Sequence, residues 1–389
     1  MQLFSDSSFF IWLVVLTIPA FILGILEKRL QWYGLAVSLL FIWFAMGAKP
    51  IALVYLGVFC VYQCVLTQGY LVLRKKYKRD KFQYYLFLTL ALMPLIINKV
   101  LGVTGNEHHI FGFLGISYLT FKAVQTVIEI YDGVIKEMPV VPFLYCLVFF
   151  PAITSGPIDR TRRFREDAER VWKREEYLEM AGEGLRRIFT GAVMKIVLAG
   201  GLYIAVSLLE KNHSGTATLI YMYAYGFYLY FDFAGYSSMA IGASYLFGIK
   251  TPENFKHPFV SKDINEFWNR WHITLSHWLR DFLFSRITMH LIRGKAFNKN
   301  RLAIASTSFM INMTVMGIWH GLMPNFIIYG MYHGVLLTLH EIIQSKWGFY
   351  KAHKNDRWFQ VVEWVINFHL VMIGFLIFSN KGAHFFRNL

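Results

Sequence analysis

The sequence predicts an all-α, polytopic integral membrane protein with about ten or eleven transmembrane helices, joined by re-entrant and interfacial helices. Three observations predict it. Of 389 residues, 56% are hydrophobic and only 16% are charged, whereas soluble globular domains carry about a quarter charged residues. Ten apolar runs have lengths suited to crossing a bilayer, which takes roughly 20 residues. The formal charge of +15 is divided among short basic clusters between these runs, the pattern expected of cytoplasmic loops. Basic residues gathered on one continuous face would suggest nucleic acid; this distribution excludes it and makes the lipid bilayer the principal partner.

In chain order the runs lie near 8–26, 31–48, 51–73, 82–98, 110–131, 188–209, 217–248, 302–320, 322–344 and 357–379. The first lacks a basic segment before it and a small-residue cleavage site after it, so it is a retained span and not a signal peptide. The cluster from Arg74 to Lys81 belongs in the cytoplasm, and counting back three spans places the N-terminus outside the cell membrane. The same count keeps Arg293, Lys295, Lys299 and Arg301 inside. Pro139–Ser155 breaks the alternation, because both of its flanks should be cytoplasmic. Pro151, Gly156 and Pro157 mark it as a re-entrant or tilted element, an eleventh span being the alternative. The polar segment 158–187 is expected to be a cytoplasmic helical insert with a solvated face. With no internal repeat and no low-complexity linker, residues 1–389 form one integral membrane domain. Cys60, Cys64 and Cys146 lie in apolar runs without metal-binding spacing and are expected to be packing residues, palmitoylation of Cys60 or Cys64 being a lesser alternative.

From Asp263 the sequence predicts a helix. Asp263 is the N-cap and Glu266 its capping-box partner. Ile264, Trp268, Trp271, Leu275, Trp278 and Phe282 then follow at steps of four and three, which is one helical face. His272 falls at the edge of that face and can point into the protein, while His277 falls opposite, toward water or headgroups. A plain interfacial helix anchored by tryptophans would show the same pattern.

His320 stands between Trp319 and Gly321, in a stretch from Leu302 to His340 without Asp, Glu, Lys or Arg. An imidazole at membrane depth is costly to bury and is a functional candidate by default. Gly321 permits close approach and Trp319 can wall a pocket; a histidine satisfied by a helix-end carbonyl is the plainer alternative. His333 and His340, seven residues apart, are expected to pack or line a cavity. Asp232, the sole charged side chain between Lys211 and Lys250, needs a cation, with Lys195, Arg270 and Arg280 as the choices. Lys122 and Glu129 are expected to be structural, His108 and His109 to be solvated, and Asn212 begins a short sequon. No phosphate loop, GxSxG elbow, HExxH or acidic metal cluster occurs, so no metal site is expected.

Four segments together resemble the membrane-bound O-acyltransferase (MBOAT) family: Ser155-Gly-Pro-Ile-Asp-Arg160, Tyr230-Phe-Asp-Phe-Ala-Gly-Tyr-Ser237, Glu266-Phe-Trp-Asn-Arg-Trp-His272 with Trp278-Leu-Arg-Asp281, and Gly317-Ile-Trp-His-Gly321. They fall in a motif-bearing core of about 110–345, and their wording is most similar to the family's D-alanyltransferase branch of Gram-positive bacteria. The resemblance implies the MBOAT fold, a helical ring around a thin centre. It also implies His320 as the family's invariant histidine and His272 as the second active-site residue, with Trp319, Gly321, Asn269, Asp232, Arg280 and Asp281 in support. It implies no bound cofactor: the acyl group arrives as a thioester on the phosphopantetheine arm of a carrier protein. The acceptor is a cell-envelope polymer of the teichoic acid type, with accessory membrane proteins.

Moving an acyl group from a thioester to a hydroxyl needs a base near pH 7, a role that fits imidazole. His320 is assigned that role. His272 would orient donor or acceptor, or hydrogen-bond the developing oxyanion. An acidic D-alanyl carrier protein is expected to dock on Phe282–Phe297, where Ile287, Met289 and Leu291 accompany Arg293. Two other readings compete: exopolysaccharide O-acetylation by a related branch, and a proton-coupled transporter, which would more often show internal repeats.

Overall fold

A computed structural model describes residues 1–103, 113–212 and 214–387; the expectations for His108 and His109, and the central residue of the Asn212 sequon, lie outside them. Every regular element among the described residues is a helix. The chain forms two compact units, Met1–Val193 with Gly235–Pro252, and Met194–Ala234 with Glu253–Leu389.

The first unit opens with α1 (Ser7–Ile25), α2 (Gln31–Met46), α3 (Pro50–Lys76), α4 (Lys81–Val103) and α5 (Ile116–Asp132), each within one of the apolar runs or extending it by a few residues. Next comes α6 (Val140–Val148), followed by a 3-10 turn at Phe150–Ala152. Nine residues rise about 14 Å, less than half of the roughly 30 Å hydrocarbon core. The element is therefore too short to cross, and burial of Phe143, Tyr145, Cys146, Phe149 and Phe150 wraps it in protein. Where the helix breaks, Lys122 Nζ donates to the carbonyls of Cys146 (2.7 Å) and Ala152 (3.2 Å). A buried lysine of α5 thus satisfies backbone that the break sets free, the structural role anticipated for Lys122.

The segment 158–187 folds into α7 (Thr161–Glu169) and most of α8 (Arg174–Ala192). It has the expected solvated face, with Arg162, Glu166 and Glu175 exposed, and also a buried one. Asp159, Thr161, Phe164, Tyr177 and Met180 are buried. Asp159 pairs with Arg163 and accepts the Arg160 backbone N–H at 2.7 Å, while Gln125 donates to its carbonyl at 2.7 Å. Mixed charge along the sequence hid pairs that close inward at i and i+4. Beyond α8 a π-helical stretch, Val193–Ala199, leads into α9 (Gly200–Glu210) and then α10 (Gly215–Leu246). Within the first unit α8 meets the end of α10 through glycines: a Cβ on Gly184 would stand 2.8 Å from the Gly242 carbonyl oxygen. Small residues let two helices touch backbone to backbone where lipid supplies no hydrophobic drive between them.

The second unit adds α11 (Ile264–Trp268), α12 (Ile273–Leu279), α13 (Ser285–Arg293), α14 (Arg301–His320), α15 (Pro324–Lys346), α16 (Gly348–His353), α17 (Arg357–Phe378) and α18 (Asn380–Arg387). The Asn300 side chain caps α14 by accepting from Leu302 N and Ala303 N at 3.1 and 3.2 Å, the N-cap geometry. By length and hydropathy, seven helical stretches among the described residues can cross a membrane: α1, α3, α4, α8 through α9, α14, α15 and α17. The protein is an all-α, multi-pass membrane protein. Of the other apolar runs, α2 and α5 are helices of 16 and 17 residues and α10 is one of 32.

Candidate active site

The single amphipathic helix expected from Asp263 does not form. Asp263 caps α11 as anticipated, accepting from Glu266 N at 2.9 Å. Glu266, however, accepts from Lys262 N at 2.8 Å and pairs with Arg270 at 2.7 Å, so the reciprocal half of the capping box is missing. After Trp268 the chain turns, because backbone groups at 270–273 bond to a neighbouring loop. Lys256 N donates to Arg270 O at 3.0 Å, and Ile273 N donates to Asn254 O at 2.9 Å. His272 sits at the junction with φ 42° and ψ 51°, the left-handed region that is uncommon for a residue with a side chain. Such strain persists only where surrounding contacts impose it, and it concentrates at functional sites.

Those contacts come from Asn254. Its carboxamide oxygen lies 3.1 Å from His272 Nδ1 and also accepts from Thr274 N (3.3 Å) and Thr274 Oγ1 (2.9 Å). A backbone N–H can only donate, so the Asn254 atom facing His272 is an acceptor and Nδ1 carries the proton. Nε2 is then a bare lone pair. It is buried and has no hydrogen-bond partner among the described residues. Burial, with His320 as the smaller contribution, pushes the His272 pKa down to about 3, so the ring is neutral near pH 7. Phe233 meets it edge-on at 4.8 Å between centroids.

His320 is the last residue of α14, and its position follows from how α14 meets α15. A Cβ on Gly317 would fall 2.4 Å from the Phe326 carbonyl oxygen, and one on Gly330 2.3 Å from that of Met313. The two backbones are in direct contact one turn before His320. Gly321 does permit a close approach: the Phe326 ring lies 2.5 Å from where its Cβ would be. Trp319 stands beside both histidines, its ring 4.7 Å from His320 and 6.3 Å from His272 between centroids. Phe378 and Tyr329 complete the wall around His320 at 5.1 and 6.3 Å.

The structure thus brings His272, Trp319, His320 and Gly321 into one neighbourhood, together with Asn254, Phe233 and Phe378, which sequence reasoning missed. Nothing in the chain announces a contact between residues 18 apart across a loop; Asn254 carries only a turn signal after Pro252. Asp232 pairs with Lys195, one of the three cations offered for it. Asn269 is exposed and donates to Asn265 O at 2.9 Å, and Arg280 and Asp281 are exposed and pair with each other at 3.0 Å. His333 is fully buried among Phe267, Trp268 and Tyr329, while His340 lies 3.7 Å from Asp263. His277, expected to face water or headgroups, is half-buried. Of the expected docking segment, Met289 and Arg293 are exposed, and Ile287 and Leu291 are half-buried. Among the described residues no group of His, Cys, Asp or Glu is arranged to hold a metal ion.

Comparison with known proteins shows the family. The model of the membrane-bound O-acyltransferase family matches residues 38–380. A teichoic acid D-alanyltransferase of Bacillus subtilis (strain 168) is 40% identical, with 98% of each chain covered. One from Streptococcus thermophilus is 39% identical over 97% of this chain and 94% of its own. A probable alginate O-acetylase, AlgI, of Pseudomonas syringae is 34% identical over 71% of this chain and 50% of its own. A family match that takes in α3 through α17, and with them both histidines, places this chain in the membrane-bound O-acyltransferase family.

Proposed function

We propose that this acyltransferase moves a D-alanyl group from a carrier-protein thioester to a hydroxyl of a teichoic acid-type envelope polymer. The observation that carries the reading is that His272 and His320 both lie against Trp319, in a chain that matches D-alanyltransferases over nearly its whole length. His320 takes the proton of the acceptor hydroxyl as its oxygen attacks the thioester carbonyl; the C–S bond breaks, and the departing thiolate receives the proton from the imidazolium. His272, with its proton fixed on Nδ1 by Asn254, offers Nε2 as an acceptor that orients the incoming hydroxyl. That tautomer has no N–H at Nε2 to give to an oxyanion, so orientation is the role the geometry favours. The rings of Trp319, Tyr329 and Phe378 limit water around the thioester.

The donor is a phosphopantetheine thioester on an acidic carrier protein. The carrier docks on the cytoplasmic face along α13, where Met289, Ile292 and Arg293 are exposed; Ile287 and Leu291 lie beside them. The protein resides in the cell membrane with its N-terminus outside, which follows from the basic cluster at 74–81. All of residues 1–389 serve this one activity. The alginate O-acetylase relatives make acetyl transfer the second reading, with a narrower match. The test uses purified protein in vesicles with carrier loaded with D-alanyl or acetyl thioester and a poly(glycerol phosphate) acceptor. Base-labile alanyl esters on the polymer are expected; acetyl esters alone would favour the second reading, and neither ester would reject both.

A further inference from the structure

We propose that the groove between α3 and α6 binds an anionic phospholipid, with an acyl chain along Cys60–Val72 and the phosphate on Lys75 and Lys76. The groove is a cavity of about 580 Å³, lined by Val61, Val65, Gly69 and Val72 of α3 and by Val140 and Leu144 of α6. Its one polar residue is turned aside, the Gln68 amide donating to the Met138 carbonyl at 2.6 Å. The lining residues of α3 recur at three- and four-residue steps, which makes them a single stripe on one helical face. From Cys60 to Val72 that stripe is about 18 Å long at 1.5 Å per residue, close to the roughly 15 Å depth of one leaflet.

Its end decides the class of ligand. Lys75 and Lys76 lie three and four residues past Val72 and continue the stripe in the last turn of α3. Both are exposed, and neither has an ion-pair partner among the described residues; Lys76 stands over the Tyr77 ring. Arg74, off this stripe, is engaged with the Tyr131 carbonyl. An apolar slot one leaflet deep that ends in two uncommitted ammonium groups at a helix terminus matches a fatty chain joined to a phosphate. Gly69 gives the slot its depth: a Cβ there meets only a Phe87 ring carbon, 4.0 Å away.

The test places a benzophenone amino acid at position 65 in the full-length protein, reconstituted in vesicles of equal phosphatidylglycerol and phosphatidylcholine and in native membranes. Irradiation is expected to give an adduct of phospholipid mass, with phosphatidylglycerol favoured by roughly 25-fold, the scale that two lysines at an anionic surface supply. Gly69→Phe should abolish the adduct, and Lys75→Gln with Lys76→Gln should keep it while removing the preference. Equal labelling of the two lipids, an adduct unchanged by Gly69→Phe, or crosslinking in native membranes to a polypeptide would overturn the proposal. Size-exclusion profiles establish that each variant is folded; if Gly69→Phe is not, the lysine pair decides.

Discussion

His272 Nδ1 lies 3.1 Å from the Asn254 carboxamide oxygen, and that oxygen also accepts the Thr274 backbone N–H. A loop residue therefore fixes which imidazole nitrogen holds the proton, and backbone in the left-handed region at His272 is part of the arrangement. Asn254→Leu keeps the backbone bond from Ile273 N to the carbonyl of residue 254 and should release the tautomer of the ring. The expected result is a loss of transfer on the order of 10²-fold, the scale of a misplaced group in an otherwise intact site, in kcat with KM for the carrier unchanged. Steady-state kinetics in proteoliposomes would show it; an effect confined to KM would assign Asn254 to carrier binding.

The α14–α15 contact is expected to be equally sensitive. Gly317→Val pushes atoms into the Phe326 carbonyl and Gly330, so the helices must separate one turn before His320. Transfer should fall at least tenfold while the protein still inserts. The same substitution at Gly57, which has open space around its Cα, is the control, and equal activity of the two variants would remove the packing argument.

Lys122→Met tests what holds the break after α6. It removes two hydrogen bonds to carbonyls, each worth roughly 0.5–1.5 kcal/mol, and leaves both oxygens buried. A drop of several degrees in the detergent-solubilised melting temperature is expected, with reduced yield. An unchanged melt would mean that other groups satisfy the break.

Most of this architecture was legible in the sequence because membrane spans advertise themselves by composition: each apolar run became helix. Short α6 was legible too, since Pro151 and Gly156 and the charge count on its flanks both argued against a crossing. The helix from Asp263 misled because an i, i+3, i+4 pattern states only what a helix would bury, and here Asn254 and Lys256 compete for the backbone at 270–273. His320 stood out by the cost of placing imidazole in an uncharged run, and His272 by its place at the edge of an amphipathic face and by the motif it ends. Asn269, Arg280 and Asp281 share their motifs with His272, and the structure gives Asn269 a bond to Asn265 and pairs Arg280 with Asp281.

The proposed docking of a carrier on α13 is tested by separating charge from apolar contact. Arg293→Glu should weaken binding of an acidic carrier more at low salt than at high salt, because exposed charges are screened within about 10 Å at 0.1 M. Met289→Asp should weaken it at both, since it acts on the buried contact. Pull-down of loaded carrier at two ionic strengths measures this, and undiminished binding by both variants would leave α13 as a membrane-surface helix.

The base assignment is tested most directly by single-turnover transfer from D-alanyl thioester carrier in vesicles, comparing wild type, His320→Ala and His277→Ala. Removal of a general base is expected to slow the His320→Ala reaction by about 10²–10⁴-fold, with insertion and purification unaltered, while His277→Ala retains its rate. A normal rate in His320→Ala, or an equal loss in both variants, would contradict the assignment of His320 as the base.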